Sequence, residues 1–498
     1  RFSIANGKVY LGESGCLWSI DVDTGQREKI SFSATMRMDV FPRAESPRFK
    51  PEQRKAAKPT SILEPRLSTD GSRLIFTAAG FIWQQPLKGG PAQRLFDDKG
   101  FQFGAAALSP DGRKLASQHS EGNLQELRVA DLKSDEISTL VTVDRTGRFE
   151  PAWSPDGRQL VYVGFNKNVP SIYKIDVETG KQEKLVDSLP RWMPRPHFSG
   201  DGKYVYYTTG NQIHRYSIKG KGEPEPITRI TGGHVADGMV SPDGRWLSFR
   251  RNEEIWVAPM DQKPVTDKAF SRLADDGGLN YSFAPDSRAI IYATGEKVWR
   301  HPLDGGERVG IPVKVEFPAK SPIPVLISGV RVLDFDAGGF TKATSVFIDQ
   351  GRIQWIGSES KHSLPDDVKV LEAEGRYAIP GLFDSHAHLA NQIHSIAARD
   401  VSHMAGNIAF GVTSVRDMGG DITLVKAWND RRAAYGAPVP RVFSLGEMIE
   451  ATKPFFHGGS LFAHTEAQVR GIVQKEIREG AVAIKSYLTL PWPLQRVI

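Results

Sequence analysis

The chain has 498 residues, 40% hydrophobic and 24% charged, with a formal net charge of +6 and one cysteine, Cys16. That length exceeds a single core and predicts two to four domains, while a lone cysteine excludes both an internal disulfide framework and a cysteine-based zinc site. No apolar run approaches the ~20 residues that span a bilayer. The densest basic stretch, "PRFKPEQRKAAKPTSILEPR" at 47–66, is also proline-rich and reads as a solvated loop rather than a nucleic-acid surface.

The chain opens "RFSIANGKVYLG", with no initiator methionine, charged n-region or apolar h-region. From there a turn signature recurs: "STDGSRLIF", "SPDGRKLAS", "SPDGRQLVYV", "SGDGKYVYYT", "SPDGRWLSFR" and "APDSRAIIYA". Its aspartates, Asp70, Asp111, Asp156, Asp201, Asp243 and Asp286, are spaced by 41, 45, 45, 42 and 43 residues. Four-stranded propeller blades repeat every ~40–45 residues. Asp-Gly supplies the positive φ of a tight turn, and the alternating apolar residues after it make a half-buried strand. The opening "ANGKVYLGESGCLWSIDVDTGQREKI" shares the layout around Asn6-Gly7 and is expected to be a seventh copy lacking its first strand. The repeated aspartates are read as turn formers, since nothing in the repeats has metal-ligand spacing.

With "SPDG" and its alternating strand repeated in this way, residues 1–312 resemble the TolB-type β-propeller. The count of repeats gives six to seven blades, and the resemblance implies a platform for a protein partner or a gate over a neighbouring site, and an extracytoplasmic, periplasmic location.

The prolines at 312, 318, 322 and 324 mark 313–322 as a linker. After it come short strands, "VLISGVRVLDFD", "ATSVFIDQGRIQWIGS" and "VKVLEAEGRYAIPG", a small sheet over 323–378. From 379 to 498 strands alternate with helical patterns, the signature of a parallel α/β sheet. The predicted order is strand "AIPGLFDSH", helix "SIAARDVSHMAGNIAFG" ending at Gly411, strand "VTSVRD", helix "ITLVKAWNDRRAAYG", strand "RVFSLG", helix "EAQVRGIVQKEIREG" ending at Gly480, and strand "AVAIKSYL". A complete (β/α)8 barrel takes about 250 residues, so the first half of a barrel is expected, and a chain truncated at both ends.

His386 and His388 lie two apart in the first of these strands. Alternation puts them on one side, at the strand end where barrels place their chemistry, and two neutral imidazoles there can share a divalent ion. "IPGLFDSHAHL" resembles the first-strand metal motif of the amidohydrolase superfamily, and the strand-rich segment before it resembles that family's small β-sandwich. "FGVTSVRDMGG" and "AIKSYLTLP" resemble segments of its imidazolonepropionase- and prolidase-like branch. The resemblance covers about 323–498. It implies one or two ions, zinc above all, held by His386, His388 and a fourth-strand lysine, Lys485, that can be carboxylated. Two further histidines and a general-base aspartate are implied on later strands. Asp417 is read as a helix cap or a group behind the ligands, and Asp384 as orienting the mouth of the first strand. Among the loop histidines, His457 is the candidate for touching substrate, and His464 lies on the same segment.

The fold class read from the sequence is thus multidomain: an all-β propeller, a small β-sandwich and a partial (β/α)8 barrel. The function it implies is a metal-dependent hydrolase of carbon–nitrogen bonds in a cyclic amide or short peptide, its catalytic base beyond Ile498. The competing reading is a protein- or peptide-binding propeller with a degenerate barrel. A propeller-gated serine peptidase is discounted because no G-x-S-x-G string occurs.

Overall fold

Each repeat folds around its turn aspartate. In the third, Ser154 Oγ donates to Asp156 Oδ1 at 2.6 Å and Arg158 N–H donates to the same oxygen at 3.1 Å. Gln159 N–H donates back to Ser154 Oγ at 2.9 Å, and Gly157 takes the left-handed φ of 70° that closes the turn. The same serine-to-aspartate bond recurs at Ser68–Asp70, Ser109–Asp111, Ser199–Asp201 and Ser241–Asp243. Stabilising the ionised carboxylate in this way pulls these groups below the ordinary range; the Ser68 hydroxyl and its neighbours bring Asp70 down to about 2.

The computed structural model describes the chain apart from residues 1, 14–15, 32–57, 96–105, 122–123, 144–148, 167–168, 188, 190–193, 221, 232–234, 253, 278–280, 318–321, 391–400 and 452–459. It forms two compact units, Arg1–Gln53 and Arg54–Ile498. In the second unit, four-stranded antiparallel sheets span 63–94, 107–143, 152–186, 197–226, 236–274 and 282–311. Apolar side chains on facing sheets fuse neighbouring blades: Ile75 with Leu115, Leu127 with Leu160, Val161 with Val205, Tyr206 with Leu247, and Val257 with Ile290. The last blade then packs on the first through Ala289, Ile291, Leu74 and Phe76, so six blades close the ring. Fully burying one such Leu or Ile stabilises by about 1.5–3 kcal/mol.

Two expectations change. The opening unit is a complete four-stranded sheet, Phe2–Ala5, Lys8–Glu13, Cys16–Asp21 and Arg27–Ile30. Phe2–Ala5 is the strand that the sequence layout left out. The basic stretch read as a solvated loop ends in an inner strand, Leu63–Leu67, with Ser61, Ile62, Leu63 and Glu64 all buried. Apolar residues spaced between its charges were enough to seat it on the neighbouring blade.

Of the expected linker, residues 313–317 run packed along the first blade. Val315 and Phe317 join its core, and Gln85 brackets the segment by donating to Pro312 O at 2.7 Å and accepting from Lys314 N–H at 2.7 Å. Next, the long strand Val325–Asp334 organises six strands, pairing antiparallel with Thr344–Asp349 and parallel with Lys369–Glu372 and Tyr377–Ala378. Its own core is small, built on Val330, Val346 and Ala373.

Beyond it, Leu382–Ala387, Val412–Asp417 and Arg441–Ser444 form a parallel sheet in chain order. Helix α1 (Val401–Ala409) and helix α2 (Ile422–Tyr435) connect them, and helix α3 (Glu466–Glu479) follows. Asp421 caps α2 by accepting from Thr423 and Leu424 N–H, while Thr465 and Gln468 form a capping box on α3. Gly436 and Gly480 end the two helices in left-handed conformation. No helix among the described residues is long and apolar enough to cross a membrane.

Helix α2 is buried on nearly every side because it packs between two partners. Leu424, Val425 and Trp428 share a core with Val442 of the parallel sheet and Leu63 of the first blade. Ala434 enters the propeller core beside Phe81, and the Tyr435 ring meets Phe81 edge-on at 4.6 Å between centroids. At the other side of the contact, Asn252 pairs with the Phe462 backbone in both directions at 3.2 Å.

Candidate functional site

The first parallel strand ends at Ala387, and the next residue but one is held from below. Asp417, fully buried at the end of the neighbouring strand, accepts Leu389 N–H at 2.6 Å and Ala390 N–H at 3.4 Å through Oδ1. The backbone that carries His388 is therefore tied to the second strand directly after the histidine. Burial pushes the Asp417 carboxyl up to about 6, against the pull of those two N–H donors. Its Oδ2 is enclosed with no partner and lies against Gly420, where a Cβ would collide with it and with Ala390 at 2.6 Å. Of the two roles read for Asp417, the helix cap falls to Asp421 instead, while Asp417 holds the backbone just after His388.

His386 and His388 do come together. Their ring centroids are 5.6 Å apart with planes at 62°, and Asp384 orients the approach by accepting His386 N–H at 3.0 Å. With Zn–N bonds of about 2.1 Å, centroids at this separation suit two ligands of one tetrahedral ion. His386 is exposed and His388 half-buried. The apolar run before them is open: Ile379, Leu382 and Phe383 are each at least half exposed. The physical reason is position, since Leu382–Ala387 is the edge of its three-stranded sheet.

Lys485 sits elsewhere on the sheet. The segment expected to be a fourth strand runs beside the end of the third, with Val482 N–H donating to Ser444 O, Ile449 N–H to Lys485 O and Tyr487 N–H to Ile449 O. Only one residue pair, Ile449 and Ser486, forms a parallel bridge. The second and third strands lie between Lys485 and the histidines. Its Nζ stands 5.7 Å from the Tyr487 ring. Among the described residues no three His, Cys, Asp or Glu side chains converge. His464 is exposed, its N–H bonded to Gln468 at the start of α3, and His457 lies outside the described residues.

The sequence reading missed a set of charged residues at the propeller mouth. Glu64, Glu150, Arg195 and Asp237 each stand six residues before a turn aspartate and each take a left-handed φ, from 40° to 54°. Aligning the repeats on their aspartates would have exposed them.

A family model described as the TolB beta propeller domain matches residues 50–212 and 107–310, together more than half of the chain. An uncharacterized protein of Agrobacterium fabrum is 25% identical over 250 residues, 46% of this chain and 83% of that protein. An imidazolonepropionase of Mycolicibacterium smegmatis is 36% identical over 97 residues, 18% of this chain and 24% of the enzyme; the chain thus spans about a quarter of that relative. The crystal structure of TolB from Acinetobacter baumannii, 18% identical, covers 63% of this chain and 79% of its own, with a TM-score of 0.42.

Proposed function

From the premise that this chain belongs to the TolB beta-propeller family and carries an amidohydrolase-like segment after it, we propose a metal-dependent hydrolase of carbon–nitrogen bonds. Its substrate class is a cyclic amide or dipeptide-like molecule, and the propeller controls access to it or holds a partner. The observation that carries this reading is the His386–His388 pair, 5.6 Å apart at the end of a parallel strand. A divalent ion there supplies Lewis acidity toward a carbonyl and brings the pKa of bound water down toward ~7.

The chain's own residues supply the holding. His386 and His388 are the proposed ligands from the first strand, and Lys485, once carboxylated, is the proposed further one from the far side of the second and third strands. Asp384 and Asp417 fix the backbone on either side of the pair through His386 N–H and Leu389 N–H, the kind of outer support that orients metal ligands. Membership of the TolB family supports an extracytoplasmic location.

Zinc content after reconstitution and desalting tests the proposal. Bound zinc is expected in the wild type and lost in His386→Ala and His388→Ala, with the unfolding midpoint otherwise kept. Zinc retained in both variants, or never taken up, would sink the metal reading. The binding-platform reading would then take its place, favoured by the finding that among the described residues no group of three His, Cys, Asp or Glu side chains is arranged to hold a metal ion.

A further inference from the structure

Asp417, at the end of the second parallel strand, and Glu450, beyond the end of the third, are both fully buried. The first ties down the chain just past His388. Glu450 closes the short strand Met448–Glu450, which follows the third strand after residues 445–447. Taking a carboxylate out of water is costly unless hydrogen-bond donors replace the water, and here donors arrive from two distant segments. Ser460 Oγ donates to Oε2 at 2.6 Å and Thr489 Oγ1 donates to Oε1 at 3.4 Å.

The Thr489 hydroxyl also accepts Ala451 N–H at 3.0 Å, so the end of this strand holds position 489 by two bonds. That position lies shortly beyond Lys485, whose carbonyl accepts Ile449 N–H at 2.9 Å while Tyr487 N–H donates to Ile449 O at 3.0 Å. Ile449 and Ile484 share one core with Val469 and Leu490. Alternation therefore turns Met448, Glu450 and Lys485 to the opposite face. A Cβ on Gly419, just past the second strand, would meet Met448 at 2.8 Å, which places that face against the strand that supports His388. On its other edge Glu450 pairs in register with Phe462, the residue that Asn252 of the fifth blade holds.

Asp417 and Glu450 thus repeat one device, a buried carboxylate at the end of one strand bonded to the chain just after a proposed ligand on the neighbouring segment. We infer that Glu450 is a positioning residue for Lys485, fixing the exit of its segment as Asp417 fixes that of His388, and that the fifth blade bears on it through Phe462. Outer support of this kind orients metal ligands. The inference rests on the proposed hydrolase reading, in which Lys485 is carboxylated. Carboxylation joins the neutral Nζ to the carbon of carbon dioxide, leaves the negative charge on the new carboxylate oxygens and releases one proton to water. The reaction is reversible, so the carbamate accumulates only where the lysine is held in place at the ion, and its amount reports position.

NMR of the zinc-loaded chain in carbon-13 bicarbonate tests it. A carbamate signal is expected in the wild type and none in Lys485→Ala. Glu450→Ala should lose about tenfold of the signal per folded chain, the lower end of the effect of removing outer support. Glu450→Gln, which keeps the side-chain shape and one acceptor oxygen, should restore most of it, and Thr489→Val should show the loss with the carboxylate in place. Full signal in folded Glu450→Ala and Thr489→Val would overturn the role of Glu450 and leave Lys485 standing. No signal in the zinc-loaded wild type would overturn the carboxylated lysine and this inference together, while the histidine pair keeps its ion. Should Glu450→Ala fail to fold, Thr489→Val decides, and full signal there overturns the positioning role.

Discussion

Asp430 on α2 accepts two hydrogen bonds from Thr60, the backbone N–H at 2.7 Å and the hydroxyl at 2.9 Å, across 370 residues of chain. Thr60 leads into the first blade and Asp430 belongs to the parallel-sheet segment, so one carboxyl fastens the two. Burial pushes that carboxyl up to about 6, although the Thr60 donors pull the other way.

A raised carboxyl binds its proton more tightly folded than unfolded. Its contribution to stability is complete below the unfolded value near 3.8 and is lost as pH climbs through about 6. A shift of this size corresponds to roughly 3 kcal/mol at most. Asp430→Asn removes the titration, so the stability of the wild type relative to the variant should fall between pH 4 and pH 7. Urea midpoints of both proteins across that range check it; a flat or rising difference contradicts the burial argument.

Asp417 calls for a different measurement. Asp417→Ala strips the acceptor from Leu389 and Ala390 N–H, leaving the backbone after His388 untied. Losing such outer support typically costs 10–100-fold in metal affinity, and that loss in zinc affinity is expected with His386 and His388 both intact. Gly420→Ala attacks the same spot from the opposite side, since its Cβ would press on Asp417 Oδ2 and Ala390; overpacking of this kind costs about 1–3 kcal/mol. Normal zinc affinity in both variants would make Asp417 a purely structural group.

The propeller was legible because its information is local and repeated: a serine, an aspartate and a glycine at fixed offsets make one turn, and alternation makes the strand after it. Helices α2 and α3 were legible for the same reason, their caps Asp421, Gly436, Thr465 and Gly480 being written beside them. The His386–His388 pair needed only the two-residue period of a strand. What could not be read were relations between distant segments. Nothing near Thr60 announces Asp430, nothing near Arg195 announces Tyr281, and the exposure of Leu382 and Phe383 depends on which strands flank them rather than on their own apolar character. Lys485 shows the limit from the other side, because an apolar stretch with the right composition formed a single bridge instead of a strand.

Asn252 is the second fastening. Its side chain donates to Phe462 O and accepts Phe462 N–H, each at 3.2 Å, from a hairpin tip with a left-handed φ of 50°. Asn252→Ala loses both bonds, about 0.5–1.5 kcal/mol each, and places a residue less tolerant of that backbone at the tip. Asn252→Gly loses the bonds and relieves the backbone, so it should be the milder change. Proteolysis rates near residues 460–464 should rise in both; unchanged rates would show that α2 alone holds the segments together.

The sixth blade tests how much a turn depends on glycine. Five repeats put glycine after the aspartate at φ 68–74°, whereas the sixth has Ser287 at φ 57°. Ser287 is buried, and its hydroxyl accepts Asp243 N–H of the fifth blade at 3.1 Å, which compensates for a conformation costing a side chain roughly 1–2 kcal/mol. Ser287→Ala keeps the strain and abandons the bond; Ser287→Gly abandons the bond but frees the backbone. Both should therefore be less stable than a fully compensated turn predicts, with the glycine variant above the alanine variant by about 1 kcal/mol in urea unfolding. Equal stability of the two variants, or reversal of their order, would mean that backbone strain at position 287 does not govern the turn.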